Sequence, residues 1–426
     1  MSAGRRWRIV TALGVGILPL LAEAQPVPRG ETERGQTVAS RPRADFDPLG
    51  VRLGAFRATA AAEIGLGYDD NIFGTRSGTV ADGYGSWLAE GGLQSEWSRH
   101  ALGASARIEE RRYLDESNQD WTDYSVSGFG RYDVDTVTSV ELRIARVQEH
   151  LDTASVDVQE AGLNRPVPYA YNEVQASGQT RFNRLGVLVV GNWRSYAFED
   201  VDLGPAITPG ALPPGEVSIF DFDSVIGALG LSYELAPGRF VNLITRFQDI
   251  TYNDASQRDR DSQTWEVLGG FTYDFDGIWA ARIALGWRER DYEGAAIRNL
   301  SGPAFEGEVT WQPTLLTTLT FAARRSIEES IRGDAVSYTR TLGRVRVDHE
   351  YLRNVILGAE IGAALSEYQD PDQEATDGYV GLSARWLINR NLALVGSWQH
   401  VRRLSATEGF DEFDRNLFQM RLRIAL

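Results

Sequence analysis

Arginine and glutamate recur two positions apart along this chain: Arg107 with Glu109, Glu141 with Arg143, Arg344 with Arg346, Arg421 with Arg423. Arg181, Arg246, Glu266, Arg282, Glu360 and Arg385 extend the set, and all 43 basic residues are arginine. Positions two apart share one face of a β-strand, so these side chains can form a ladder of ion pairs. The same face can instead offer planar forks of donors to carboxylates or sugar hydroxyls. Mixed signs favour the self-satisfied ladder as the main role. A basic stripe of Arg344, Arg346, Arg385, Arg421 and Arg423 would still suit guidance of an acidic glycan.

Other chemistry fares worse. Ser98 stands two residues from His100 on a short turn, with no acid to orient the pair, and nucleophilic catalysis needs that third role. The four histidines (His100, His150, His349, His400) are scattered and cysteine is missing, which excludes thiol catalysis, Cys-ligated zinc and a disulfide scaffold. Gly65-Leu66-Gly67 sits inside a strand pattern and opens no helix, so it is no phosphate loop. A net charge of −16 opposes nucleic acid as a partner, because phosphates need a basic surface. The expectation is a protein that is not an enzyme and has no cofactor or metal site.

Strands must position these charges. Phe418, Met420, Leu422, Ile424 and Leu426 alternate with Gln419, Arg421, Arg423 and Ala425. Trp279, Ala281, Ile283, Leu285 and Trp287 alternate with Ala280, Arg282, Ala284, Gly286 and Arg288. A period of two gives each segment one apolar and one polar face. About eighteen such segments follow one another, longer than the strands of soluble proteins. Their connections alternate between tight turns, such as Trp97-Ser98-Arg99 and Asn389-Arg390, and longer acidic loops, such as 152–167 and 199–217. This predicts an all-β fold: a transmembrane antiparallel up-and-down β-barrel of about 18 strands (range 16–18), with short periplasmic turns and longer extracellular loops.

A soluble sandwich also alternates, but its strands are short and its apolar face turns into a core. Here Trp97, Tyr233, Tyr273, Trp279, Trp311 and Trp386 stand on the apolar face near segment ends, as lipid-interface girdles do. The apolar face then meets lipid while the charged face lines a lumen too wide for side chains to fill. The expected partners are outer-membrane lipid and lipopolysaccharide, together with the barrel assembly machinery that reads the alternating last strand. The expected place is the cell outer membrane of a Gram-negative bacterium.

Met1–Ala24 reads as a secretory signal peptide, with Arg5, Arg6 and Arg8 before a short apolar run and Ala22-Glu23-Ala24 at its end. Residues 25–54 read as a flexible periplasmic lead-in, and 55–426 as the barrel.

Phe46-Asp47-Pro48-Leu49-Gly50-Val51-Arg52-Leu53-Gly54 leads into the first strand, which closes on Gly67-Tyr68-Asp69-Asp70-Asn71-Ile72-Phe73. The second turn reads Gln94-Ser95-Glu96-Trp97-Ser98-Arg99-His100. Together these resemble the Putative β-barrel porin type 2 family of bacterial outer-membrane proteins. Asp47, Pro48, Leu49, Gly50, Tyr68, Asp69, Asp70 and Asn71 carry much of the likeness. The resemblance implies an outer-membrane conduit for a secreted exopolysaccharide, working with a periplasmic polysaccharide export protein. Read by themselves, the residues reach only a water-filled barrel. A general or solute-specific small-molecule porin for polar solutes therefore stays open, as does a closed structural or adhesion barrel built on the loops 152–167 and 199–217. Tyr68–Asn71 also reads as a loop-opening turn, since Asp and Asn bond their own backbone; a calcium role lacks the ligand spacing of a dedicated loop.

Overall fold

The computed structural model describes residues 36–201, 216–274, 277–407, 410 and 412–426. The leader Met1–Ala24, most of the loop 199–217 and the acidic loop residue Asp411 lie outside the described residues.

After a short arm, β1 (Val51–Leu53), eighteen long strands follow in antiparallel order. The first six are β2 (Phe56–Asp69), β3 (Asp82–Ser95), β4 (Ala101–Tyr113), β5 (Trp121–Asp133), β6 (Ser139–Leu151) and β7 (Val167–Phe182). Next come β8 (Leu185–Phe198), β9 (Phe222–Ala236), β10 (Arg239–Tyr252), β11 (Ser262–Asp274), β12 (Trp279–Tyr292) and β13 (Leu300–Thr314). The last six are β14 (Thr317–Glu329), β15 (Ser337–Leu352), β16 (Val355–Tyr368), β17 (Gln373–Leu387), β18 (Leu392–Ala406) and β19 (Asp414–Ala425). Each pairs with its neighbours in sequence, and β19 pairs back onto β2. The result is a closed 18-stranded barrel. Connections of two to five residues fall at one end; those at the other run from four residues, between β16 and β17, to more than twenty, between β8 and β9.

Alternation sorts the two faces. Outward side chains such as Ile64, Leu66, Leu142, Val267, Leu285, Ile361, Met420 and Ile424 are exposed large apolar groups. Water would penalise such a surface, whereas hydrocarbon accepts it. Inward positions carry the charged and small residues. Glycine lets the wall stay thin at two close approaches: the Tyr84 ring lies across Gly67, and the Tyr379 ring across Gly362, each where a Cβ would clash. The ring flattens against the neighbouring strand instead of projecting into the lumen.

The seam between β19 and β2 has nine paired positions, against fourteen between β2 and β3. It is reinforced along its length. At the long-loop end Asp69, fully buried, takes three contacts from the Arg415 guanidinium (2.6–3.1 Å) and one from the Tyr113 hydroxyl (3.2 Å). Beside it the Asp70 carboxylate accepts from the Asn416 amide N–H and side chain. At the short-turn end β2 outruns β19. The arm β1 lies along its free edge, pairing Val51 with Ala58 and Leu53 with Phe56, between left-handed residues at Gly50 before it and Gly54 after it. Part of the lead-in is also placed: Val38 is buried, its N–H donates to Thr318 Oγ1, and Arg43 pairs with Glu350.

The family-like residues therefore act locally. Asp69, Asp70 and Asn71 lock the seam, and Gly50 turns the arm onto it.

Two outcomes follow. Leu285→Arg, outward at mid-strand, should cost about 2–4 kcal/mol in lipid-vesicle unfolding, while Val241→Arg near the strand end should cost about 0–1. Asp69→Ala breaks a buried pair and should cost about 3–5 kcal/mol, read as a lower temperature at which the folded species in detergent converts to the unfolded one.

Candidate functional site

The lumen wall and the loop that crosses its mouth form the candidate site. The wall is charge-paired. Six side chains from β2, β3, β4 and β19 close into a ring in which each acid touches two arginines. Arg421 reaches Glu109 at 2.5 Å and Glu63 at 3.5 Å, and Arg423 reaches Glu63 at 2.6 Å and Glu90 at 2.5 Å. Arg107 completes the ring on Glu90 at 3.4 Å and Glu109 at 2.6 Å. The ring straddles the seam, so residues more than 300 positions apart meet only because the barrel closes. A second chain runs over β10 to β13: Arg246 bonds Glu266 (2.6 Å) and Glu306 (2.9 Å), and Arg288 bonds Glu266. Arg346 pairs with Asp348 and Glu360, Arg194 with Glu173, and Arg181 with Glu234 at 3.7 Å.

The basic stripe proposed from sequence is thereby broken up. Arg421 and Arg423 are neutralised by the ring and Arg346 by its own acids. Arg344 and Arg385 form no salt bridge among the described residues, and neither do Glu141 and Arg143. Arg282, on β12, sits between Thr272 and Glu308 in the strand register. Trp97 lies in the β3–β4 turn, and Tyr233, Tyr273, Trp279, Trp311 and Trp386 stand at the short-turn end of their strands, with Trp279 and Trp311 stacked at 5.1 Å.

The mouth at the other end is strapped. Residues 152–166, between β6 and β7, carry one helical turn, α1 (Val156–Glu160), opened by Ser155, whose hydroxyl accepts from the Val158 N–H. The strap reaches β16, nine strands from β7 and so on the opposite wall of an 18-membered ring. Asp157 is six residue steps from Leu151, at most about 20 Å of chain, while such a barrel is roughly 35 Å across. Groups of the far wall and its loop meet the strap there. The Asp157 carboxylate accepts from the hydroxyls of Tyr368 (2.7 Å) and of Ser330, on the β14–β15 loop (2.9 Å).

Two arginines fix the strap elsewhere. Arg415, already on Asp69, bonds Asp152 at 2.9 Å. Arg403, 1% exposed, donates to the Ala154 carbonyl and the Gln159 side chain while pairing with Asp377. Beneath the loops an apolar cluster joins Val158 and Leu163 of the strap to Val201, Val217 and Phe220 and to Ile331. Tyr169, Tyr196, Phe222 and Tyr252 at strand ends belong to it too. Val156 packs separately against Tyr338, Tyr368 and Phe410. The mouth is thus roofed by packed side chains rather than left as loose loop.

Sequence reasoning placed the loop 152–167 and allowed it to fold inward, but missed Asp152, Asp157, Arg403 and Arg415 as its anchors. Strand parity already turned both arginines inward at the long-loop end. Nothing local to residues 152–166 named their partners.

Burial pushes the Asp157 carboxyl up to about 6, with the Glu328 charge adding and the bonds from Tyr368 and Ser330 and the Arg332 charge opposing. The docked strap therefore favours the protonated acid.

A family model described as Putative beta-barrel porin 2 matches residues 43–426. No curated protein matches the chain. Similar solved structures include OccK9 (OpdG) of Pseudomonas aeruginosa, at 12% identity, covering 87% of this chain and 98% of that one with a TM-score of 0.47. The outer-membrane protein OpdK of the same organism gives 13%, 87%, 99% and 0.46. A variant of its ferric enterobactin receptor PfeA gives 8%, 86%, 80% and 0.46.

The sign of the Asp157 shift sets a pH dependence. An acid raised from 3.8 on docking contributes full strap stability below pH 3.8 and loses it as pH rises through about 6. Hydrogen–deuterium exchange of residues 152–166, corrected for intrinsic rates, should show protection falling by about 100-fold between pH 4 and pH 7.5. Asp157→Asn should flatten that dependence.

Proposed function

The chain belongs to the Putative beta-barrel porin 2 family, with 384 of its residues inside the match, and on that premise we propose that it is an outer-membrane channel for small polar solutes. The strap carries this reading. A polymer threading outward needs an unobstructed mouth, whereas here the mouth is crossed from wall to wall and anchored at Asp152, Ala154, Asp157 and Gln159. What can pass is set by gaps beside the strap and by the charged wall below it. Neither suits a flexible chain several sugars wide.

The wall supports the same reading. Paired guanidinium and carboxylate groups give a solute donors and acceptors of both signs within a short distance, without a net field that would hold an ion in place. Among the described residues Arg344 and Arg385 form no salt bridge, so their donors are open to a solute. The exopolysaccharide conduit rested on resemblance, and among the described residues none of the lumen favours it over the smaller cargo. A closed barrel with a structural or adhesive role would keep the roof and lose the conduction.

Planar-bilayer recording decides among the three. The intact chain should conduct in small steps, and removal of residues 153–165 should raise the conductance severalfold while leaving the barrel folded. In cells, deletion of the gene should slow small-solute uptake and leave surface polysaccharide unchanged. Loss of polysaccharide with normal uptake would restore the conduit reading. No conductance in either form of the protein would point to the closed barrel.

A further inference from the structure

The outward face of β4 to β8 is not a smooth apolar band. It holds a groove of about 790 Å³, walled by Trp97, Leu102, Tyr132 and Val189 and floored where strands present glycine or alanine. Gly130, Leu142, Ala176 and Gly191 lie in one hydrogen-bonded row across β5, β6, β7 and β8. Packing does not explain the glycines. A Cβ at Gly130 or Gly178 would make only ordinary contacts, at 3.9 Å and 3.8 Å, and one at Gly191 would meet nothing within 4 Å. None of the three has a left-handed backbone. Leucine or valine would fit, as at Leu142 and Val189 beside them, and would erase the groove.

Its two ends identify an occupant. One lies at the short-turn girdle, where the His100 ring is stacked flat on Tyr132 (4.5 Å, 6°). His100 Nδ1 accepts from the Asp133 N–H, so the neutral ring carries its proton on Nε2. Next to it, one Arg99 nitrogen, Nη2, donates to the carbonyls of Asp133 and Val134; its guanidinium forms no salt bridge among the described residues, the Asp135 carboxylate lies within reach of its charge, and the Asp133 carboxylate accepts from the His100 backbone N–H. The other end, at Gly191, is six residues along β8, about 15 Å above the turns for a 3.3 Å rise and a tilt near 40°. That depth is close to the middle of an apolar band about 25 Å tall. The groove thus spans one leaflet, from a cation at the headgroup level to the bilayer midplane. A second barrel would seat against both leaflets, and it would not need a positive charge at one end.

We propose that this groove holds an acyl chain of a glycerophospholipid from the periplasmic leaflet, with its phosphodiester at Arg99 and His100. The chain lies over Gly130, Ala176, Gly178 and Gly191, where it meets more apolar surface than it would on a full band. An ordered lipid here fixes the depth and orientation of the β4–β8 wall, the wall from which the strap departs.

Native mass spectrometry of the full chain, released from membranes in a mild non-ionic detergent and titrated with phosphatidylglycerol, tests this. The unaltered protein should retain one lipid. Ala176→Leu with Gly178→Leu, which fills the floor with residues the band already uses, should lower occupancy at least about tenfold, or about 1.4 kcal/mol. Arg99→Gln should weaken retention while leaving the groove intact. Circular dichroism checks that the strands persist, and should Ala176→Leu with Gly178→Leu fail to fold, Arg99→Gln carries the test alone. Equal occupancy in all forms would overturn the proposal. A lipid-free dimer that the leucines dissociate would overturn it too, by assigning the groove to a second copy.

Discussion

A sheet in hydrocarbon cannot have an edge. Every unpaired peptide N–H or C=O there costs several kcal/mol, with no water to take the bond. Eighteen strands satisfy this only if the last returns to the first, so the β19–β2 seam is the condition on which the other seventeen pairings rest. The seam is short, and the chain compensates in three ways. The Asp69–Arg415 clamp secures its long-loop end, the six-membered ring secures its middle, and the β1 arm covers the edge where β2 extends past β19.

Closure then creates a second demand. A barrel this wide cannot be filled by side chains from its own wall. Charged residues would otherwise extend toward the axis, and the pairing of Arg107, Arg421 and Arg423 with Glu63, Glu90 and Glu109 lays them along the wall. Beyond holding the seam, these contacts set shape: fixed guanidinium positions and a defined bore. The strap meets the same demand at the mouth by a different route, with an apolar cluster and a few buried polar anchors. Arg415 belongs to both systems. A change that loosens the seam at Asp69 loosens the strap at Asp152, and barrel integrity and mouth closure are coupled through one guanidinium.

The two surfaces obey different solvents. Outside, the rule is an apolar band bounded by aromatic rings, and departures from it stand out, as the glycine-floored groove does. Inside, the rule is a polar lining satisfied by partners or water, and departures are apolar patches such as Ile244, Leu268, Ala284 and Ala304. Each face is legible by asking what its solvent would penalise.

Period-two alternation determined the strand count, the face of each charge and the girdle aromatics, because the pleat alone fixes which side a residue takes. The lead-in and the Asp69–Asn71 turn were visible as segments but not as a docked arm or a seam lock. Which arginine neutralises which glutamate was decided by closure, since Arg421 finds Glu109 only after the strands between have wrapped a full circle. The path of the strap was decided there as well. Residues 152–166 have no periodicity to read, and their anchors at Arg403, Arg415 and Tyr368 come within reach only across the mouth of the finished barrel. Local pattern encodes a face; a ring of eighteen strands encodes a neighbour.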